Sequence, residues 1–431
     1  MARIMTRREF LCFASGLLGT TLTGCRSVTQ RYSPSTLSRD DDAFLEVLER
    51  ASFQFFLDNT HPNTGLVRDR SRVDGQEKRE VASIAAAGFG LSAQCIAAER
   101  GWMAQEEARV RVLTALRFLR DHLPNEHGFF FHFINWRTGE RVWKCELSSI
   151  DTALLLAGVL TCRSYFADPE IREAAGVIYD RVDWNWMGQG ALLLRMGWKP
   201  EDGFLTSTWD TYSEHMLLYL LAIGANRHAL APESWRAWRR PEFEYGGLQY
   251  LTNLDAPLFI HQYSHAWFDF RGVRDAFADY FENSVKATRA HRQFCLDLRG
   301  QFPHFSDDLW GITASDSARG YLAWGGPPQQ GPLDGTLVPC AAAGSLPFLP
   351  SESLRCLKTM RGRFGDRIWS RYGFVDAFNP ASGWTAPDVI GIDVGITLLM
   401  AENLRTGFIW RQFMKNREAR RAMELAGFHK A

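Results

Sequence analysis

Several apolar runs in this 431-residue chain are entered through an acid. Glu146 and Asp151 flank the start of "SSIDTALLLAGVL", Asp210 and Glu214 open "EHMLLYLLAIGA", and Asp393 opens "VGITLLMAENL". Asp74 and Glu80 precede "VASIAAAGFGLSAQ", and Asp334 precedes "GTLVPCAAAGSL". Capping alone accounts for some of these, because first-turn acids bind orphan N–H groups and face the positive end of the helix dipole. Asp151 follows a plausible Ser148 or Ser149 cap, and Asp210 is equally well placed. Glu146, just before its cap, and Glu214, in its helix's first turn, have aromatic neighbours (Trp143; Trp209 and Tyr212) that capping does not require. As a set, acids delivered from separate helices into one aromatic-lined cavity suit glycosidic bond hydrolysis. That reaction uses one protonated and one ionised carboxyl, held apart in pKa by their surroundings.

Binding a sugar calls for ring platforms and polar partners. The chain has 15 Trp and 13% aromatic residues, though most must serve the core. Candidate contacts are Trp143, Trp209, Tyr212, Trp324, Asp151, Asp316, Arg271 and Asn379, with Gln262 and His265 as further polar partners. Other chemistries lack their motifs: there is no G-x-G-x-x-G, P-loop, G-x-S-x-G or H-E-x-x-H. His261, His265 and His304 are too irregularly spaced for a metal site, so neither metal nor cofactor is expected. Lysine plus arginine (49) balances aspartate plus glutamate (49), which gives no electrostatic case for nucleic acid or an anionic membrane surface. Cys95, Cys145, Cys162, Cys295, Cys340 and Cys356 are scattered without C-x-x-C spacing and read as buried thiols.

The elements that must position these acids are helices. Helical apolar spacing covers 43–57, 81–98, 104–123, 149–166, 212–225, 273–294, 351–364 and 393–413. Three of the runs are apolar nearly all round, whereas "EEARVRVLTALRFLRDHL" and "RGVRDAFADYFENSVKATRAHRQF" carry charged faces. This alternation predicts an inner and an outer ring, an all-α toroid with long irregular loops. No composition break marks a second domain between 41 and 431, and a monomer is expected.

Before that domain, "TRREFLCFASGLLGTTLTGC" carries Arg7-Arg8, an apolar stretch too short to span a membrane comfortably, and Cys25 after Leu22-Thr23-Gly24. The pattern predicts a twin-arginine export signal over 1–25, with lipidation of Cys25 and a polar tether over 26–40. Arg26-Ser27 lacks an inner-membrane-retaining aspartate. A periplasm-facing lipoprotein, in the outer membrane and touching the bilayer through its lipid only, is therefore the expectation.

Seven segments, in order, resemble a known family: "KCELSSIDTALLLAGVL", "WDTYSEHMLLYLLAIGA", "QYSHAWFDFRG", "WGITASDSARGYLAWGGPP", "DGTLVPCAAAGSLPFLP", "RYGFVDAFNP" and "GIDVGITLLMAENLRTGFIW". Together they are similar to the glucoamylase-like domain of glycoside hydrolase family 144, the bacterial β-1,2-glucanases, and of the ring-closing domain in cyclic β-1,2-glucan synthases. The resemblance implies an (α/α)6 barrel and a glucan oligo- or polysaccharide substrate. It implies Glu214 in "YSEHM" as general acid, Asp393 in "GIDVG" as base and Glu146 in "ELSSIDTA" as a further essential acid, with Asp151 in the same motif. Where the family usually reads I-D-Q-G-P, Val394 and Ile396 stand here, which removes a polar neighbour from Asp393. Two other readings stay open on the residues: a lipoprotein that binds or helps assemble glucan without cleaving it, and a transglycosylase.

Overall fold

A helix that is apolar on every side can be stable only where every side is covered, and the chain meets this requirement by ring closure. The computed structural model describes residues 37–253, 257–328, 331 and 333–431. The export signal, Cys25 and the tether up to residue 36 lie outside the described residues. From Leu37 onward the described chain is one compact unit. In order, its principal helices are α1 (Arg39–Asn59), α2 (Ile84–Glu99), α3 (Gln105–Asp121), α4 (Ser149–Tyr165), α5 (Pro169–Asp180), α6 (Met216–Ile223), α7 (Tyr280–Asp297), α8 (Pro339–Ala343), α9 (Pro350–Phe364), α10 (Gly391–Arg405) and α11 (Arg417–Leu425).

The result is an (α/α)6 barrel. Its inner ring is α2, α4, α6, two 3-10 turns over Leu258–His261 and Tyr263–Ala266, α8 and α10. α2 is buried without a break from Ile84 to Ala98, and α10 from Asp393 to Arg405. The outer helices bury one stripe each: α3 buries Ala108, Val112, Leu113, Ala115, Leu116 and Leu119, while Arg111 pairs with Glu107 outside.

Neighbouring inner elements approach closely. A Cβ on Gly88 (α2) would lie 2.2 Å from the Leu154 carbonyl of α4, and one on Gly158 (α4) 2.1 Å from that of Gly88. Only glycine allows this backbone contact. The Leu217 N–H of α6 donates to Ser264 Oγ at 2.9 Å, and Gln262 Nε2 donates to Ala341 O of α8 at 2.9 Å. Gly395 of α10 closes the ring against the Phe89 ring of α2. Below, buried Arg405 at the end of α10 ties α1 through Asp42 at 2.8 Å and Glu46 at 2.9 Å.

Short antiparallel strands collar the entrances to the inner helices. β1 (Arg70–Arg72), β2 (Val81–Ser83), β3 (Phe133–Asn135), β4 (Leu147–Ser148), β5 (Gly197–Lys199), β6 (Gly203–Phe204) and β7 (Asp388–Ile390) pair as β1–β7, β2–β3 and β4–β5–β6. Arg70 opposes Ile390, and Ala82 opposes Ile134. β2, β4 and β7 run directly into α2, α4 and α10, so the strand pairing sets where those helices begin.

Four expected boundaries need correction, the first at 81–83, which form β2 ahead of α2. Residues 273–279 do not begin a helix: Asp275 accepts from the N–H groups of Phe277 and Ala278 in a local turn, and Asp279 caps α7. α6 starts only at Met216, because Tyr212 N–H is drawn to Arg239 O at 2.8 Å. α10 stops at Arg405; Gly407, at φ 69°, turns the chain before Phe408–Phe413 resumes as helix. α5, opened by the Asp168 cap and Pro169, and α11 were not expected. The six described cysteines are buried and free; Cys95 and Cys162 meet across α2 and α4 with sulfurs 3.6 Å apart.

Candidate active site

The first group of acids is held where β4 feeds α4. Ser148 caps that helix, accepting the Asp151 N–H at 3.2 Å while its hydroxyl donates back to Asp151 Oδ2 at 2.5 Å. Asp151 is thus both a capping-box partner and a rim acid. His132, just ahead of β3, sits between two carboxylates: Nδ1 is 3.0 Å from Glu146 Oε1, and Nε2 is 3.6 Å from Asp151 Oδ2. Burial works against an imidazolium here, but Asp151, Glu146 and Asp69 outweigh it and raise His132 to about 9. The hydrogen bond from His132 in turn lowers Glu146, against its burial, so Glu146 is an anion. Trp143 stands beside this group with 70% of its surface exposed and a left-handed backbone (φ 55°), its ring edge-on to Phe133 at 5.2 Å. An exposed indole fixed in that way is a ready platform for a sugar face.

Glu214 sits in the turn just before α6 rather than within the helix, and is half-buried. Ser213 donates its hydroxyl to the carboxylate, and Ser264 donates to the Glu214 carbonyl. Burial raises the Glu214 pKa, and the nearby charge of Asp151 adds to the effect; the Ser213 hydroxyl only partly offsets it.

Asp393 lies buried in the first turn of α10 and is rich in donors. Tyr263 Oη donates to it at 3.4 Å, and the Cys340 thiol and the Asp376 carboxyl lie beside it. Burial pushes Asp393 up to about 6 even though those three neighbours pull it down. Asp376 is fixed from behind by the Asp316 N–H at 2.7 Å. Asp316 holds Arg70 in a two-pronged pair, at 3.1 and 3.0 Å, and Arg70 Nε reaches Asp69 at 3.1 Å. Tyr321, which feels the charges of Asp393 and Asp376, has about half of its surface open (51%).

These clusters share one rim. Tyr263, bonded to Asp393, also feels the charge of Glu214; Glu214 feels Asp151; Asp69 acts on both His132 and Tyr321. Glu146, Asp151, Glu214, Asp316 and Asp393 are therefore brought together around one rim. His132, Arg70, Tyr263 and Asp376 join them and were not anticipated. A polar residue inside the aromatic run "FFFHFIN" was the one available signal for His132.

The other expected substrate contacts have partners within the protein. Tyr212 is fully buried, bonded to His261 at 3.0 Å and packed near Tyr280 and Trp238. The Trp209 and Trp324 indoles are buried and donate to Ser149 at 2.9 Å and Ser315 at 3.2 Å. Asn379 closes its own loop, accepting from Ala381 and Ser382. Arg271 pairs with Asp269 at 2.7 Å and lies over the Trp410 ring. Gln262 joins the 3-10 segment of the inner ring to α8, and His265 bonds Ser284 inside the core.

An (α/α)6 barrel with a carboxylate-lined rim at its inner-helix entrances is the architecture of a glucoamylase-like class of protein. Residues 206–417 match the Glycoamylase family model, described as putative glucoamylase. A solved Bacteroides uniformis protein named a putative glucoamylase is 30% identical, with 91% of this chain and 98% of that one covered and a TM-score of 0.85. The endo-β-1,2-glucanase of Chitinophaga pinensis, solved with sophorotriose and glucose, is 26% identical over 91% of this chain and 99% of that one, with a TM-score of 0.83. The exo β-1,2-glucooligosaccharide sophorohydrolase of Parabacteroides distasonis is 28% identical across 92% of this chain; the chain spans 59% of that protein's length. The chain belongs to the glucoamylase-like family.

His132 offers a direct check on the rim's electrostatics. Its folded pKa, about 9, exceeds the ordinary 6.5, so its contribution is complete below pH 6.5 and is lost as pH rises through 9. The contribution should amount to about 3 kcal/mol. Thermal unfolding between pH 6 and 10 should show this decline in the wild type and not in His132→Gln. Parallel curves for the two proteins would contradict a charged His132.

Proposed function

We propose that the chain is a glycoside hydrolase that cleaves β-1,2-glucan, with Glu214 as general acid and Asp393 as general base. The observation that carries this reading is the contrast between two carboxyls facing one rim. Burial raises both; at Glu214 a serine hydroxyl and a backbone hydrogen bond partly offset it, whereas Asp393 has Tyr263, Cys340 and Asp376 around it. Glu214 gives its proton to the glycosidic oxygen as the bond from that oxygen to the anomeric carbon breaks. Asp393 takes a proton from the water that attacks the anomeric carbon, so one bond is exchanged for a new reducing end and a hydroxyl. Glu146, paired with His132, is a poor proton donor and is assigned to the charge balance of the rim. Trp143 is assigned to stacking on the glucan. The β-1,2 linkage is supported by the names of the Chitinophaga and Parabacteroides relatives.

Products from β-1,2-, β-1,3-, β-1,6- and α-1,4-glucans discriminate this reading from its competitors. Sophorose-series fragments should arise from β-1,2-glucan, and both Glu214→Gln and Asp393→Asn should lower kcat by about a thousandfold. Activity should rise as pH passes about 6, where Asp393 ionises. Full activity in Glu214→Gln would refute the mechanism. Tight binding with no new reducing ends would favour a glucan-binding protein, and longer or cyclised products a transglycosylase.

The same proposal places the enzyme on the periplasmic side of a membrane, exported by the twin-arginine route and anchored through lipidated Cys25, as the order of Arg7-Arg8, apolar stretch and cysteine supports. The wild type should fractionate with outer membranes and Cys25→Ser should not. Equal partitioning of the two would remove the anchor.

A further inference from the structure

Behind the rim, Asp376 has a side chain whose two oxygens face opposite demands. Oδ2 accepts the Asp316 N–H at 2.7 Å, while the backbone N–H of Asp376 is taken by Asp388 O at 3.2 Å. Oδ1 is buried, and among the described residues no N–H or O–H donor faces it. The Asp376 carboxyl meets that of Asp393, itself an acceptor that already draws on Tyr263 and Cys340. Two acceptors in contact without water are tolerated only when one of them carries a proton. The surroundings leave little alternative: the pair borders a cavity of about 20 Å³, room for roughly one water, walled largely by apolar residues such as Leu48, Val389, Ile390 and Val394.

We infer that Asp376 is a positioning residue that stays protonated on Oδ1 and donates a hydrogen bond to Asp393, holding that carboxylate ionised and aimed at the rim. The inference rests on the assignment of Asp393 as the base. The proton resides on Asp376 because its Oδ2 has only one backbone donor, whereas Asp393 has a phenol and a thiol as well; burial and the neighbouring Asp393 charge both push Asp376 well above the usual carboxylate range. The two carboxyls thus titrate as a unit that carries one proton across the neutral range. No group other than Asp376 needs to move a proton for this. Asp376 neither touches the substrate nor exchanges protons with it.

Asparagine can imitate a protonated Asp376: its amide carbonyl accepts from Asp316 N–H and its NH2 donates to Asp393. Asp376→Asn should therefore keep kcat on β-1,2-glucan within about fivefold of wild type, with the acid limb of the pH profile little moved. Asp376→Ala should lose about ten- to hundredfold at pH 7, the worth of one hydrogen bond to a charged group, and its acid limb should shift to higher pH as Asp393 loses a donor. Independently of substrate, difference infrared spectra of aspartate-labelled protein at pH 7 should show a protonated carboxyl that disappears in Asp376→Asn. If folded Asp376→Asn is as inactive as Asp393→Asn, or Asp376→Ala matches wild type in rate and pH profile, or the protonated-carboxyl band is absent, the inference is overturned. Activity in Asp393→Asn would instead remove the base assignment itself, a distinct failure.

Discussion

The site exists because the inner elements approach closely enough for their entrances to share one rim. The demand is greatest where α2 and α4 touch backbone to backbone through Gly88 and Gly158, a contact that leaves no room for a Cβ. Ring closure then proceeds through Ser264, Gln262 and the seat of Gly395 on Phe89. Every acid at the rim inherits its position from this framework. Paired strands complete it, because β4 and β7 fix the residues that begin α4 and α10.

Upon that framework the rim carboxyls are set apart by their neighbours. Glu146 has a full imidazolium and is held as an anion. Glu214 is half-buried with a hydroxyl, beside the charge of Asp151, and its pKa rises. Asp393 is buried, with Tyr263, Cys340 and Asp376 around it, and stands near 6. Three carboxyls of one rim thereby sit in three different surroundings. The Arg70–Asp316 pair adds a counter-charge at the same rim and anchors the segment whose N–H holds Asp376.

Much of this was legible in the sequence. All-round apolar runs announced the inner helices, and acids at their entrances marked Glu146, Asp151, Glu214 and Asp393. What escaped was whatever depends on partners distant in the chain. Arg70 meets Asp316 across 246 residues, and neither lies in a helix. His132 acquires meaning only from Glu146 and Asp151, and Asp376 only from Asp393. The placement of the aromatic neighbours escaped for the opposite reason. Tyr212 and Trp209 lie beside Glu214 in sequence, yet their rings are claimed by the core, whereas exposed Trp143 is set outward by its left-handed backbone. The 273–279 boundary was missed because Asp275 offered the backbone N–H groups a turn in place of a helix.

The central claim is that Glu214 and Asp393, delivered by different inner elements, act on one glycosidic bond. A crystal structure of Glu214→Gln with a β-1,2-glucooligosaccharide tests it most directly. The account predicts a glycosidic oxygen within hydrogen-bond distance of the residue 214 side chain, and Asp393 directed, itself or through ordered oxygens, at a water facing the adjoining anomeric carbon. An oligosaccharide bound away from residue 214, or spanning the rim with Asp393 cut off from any such water, would contradict it.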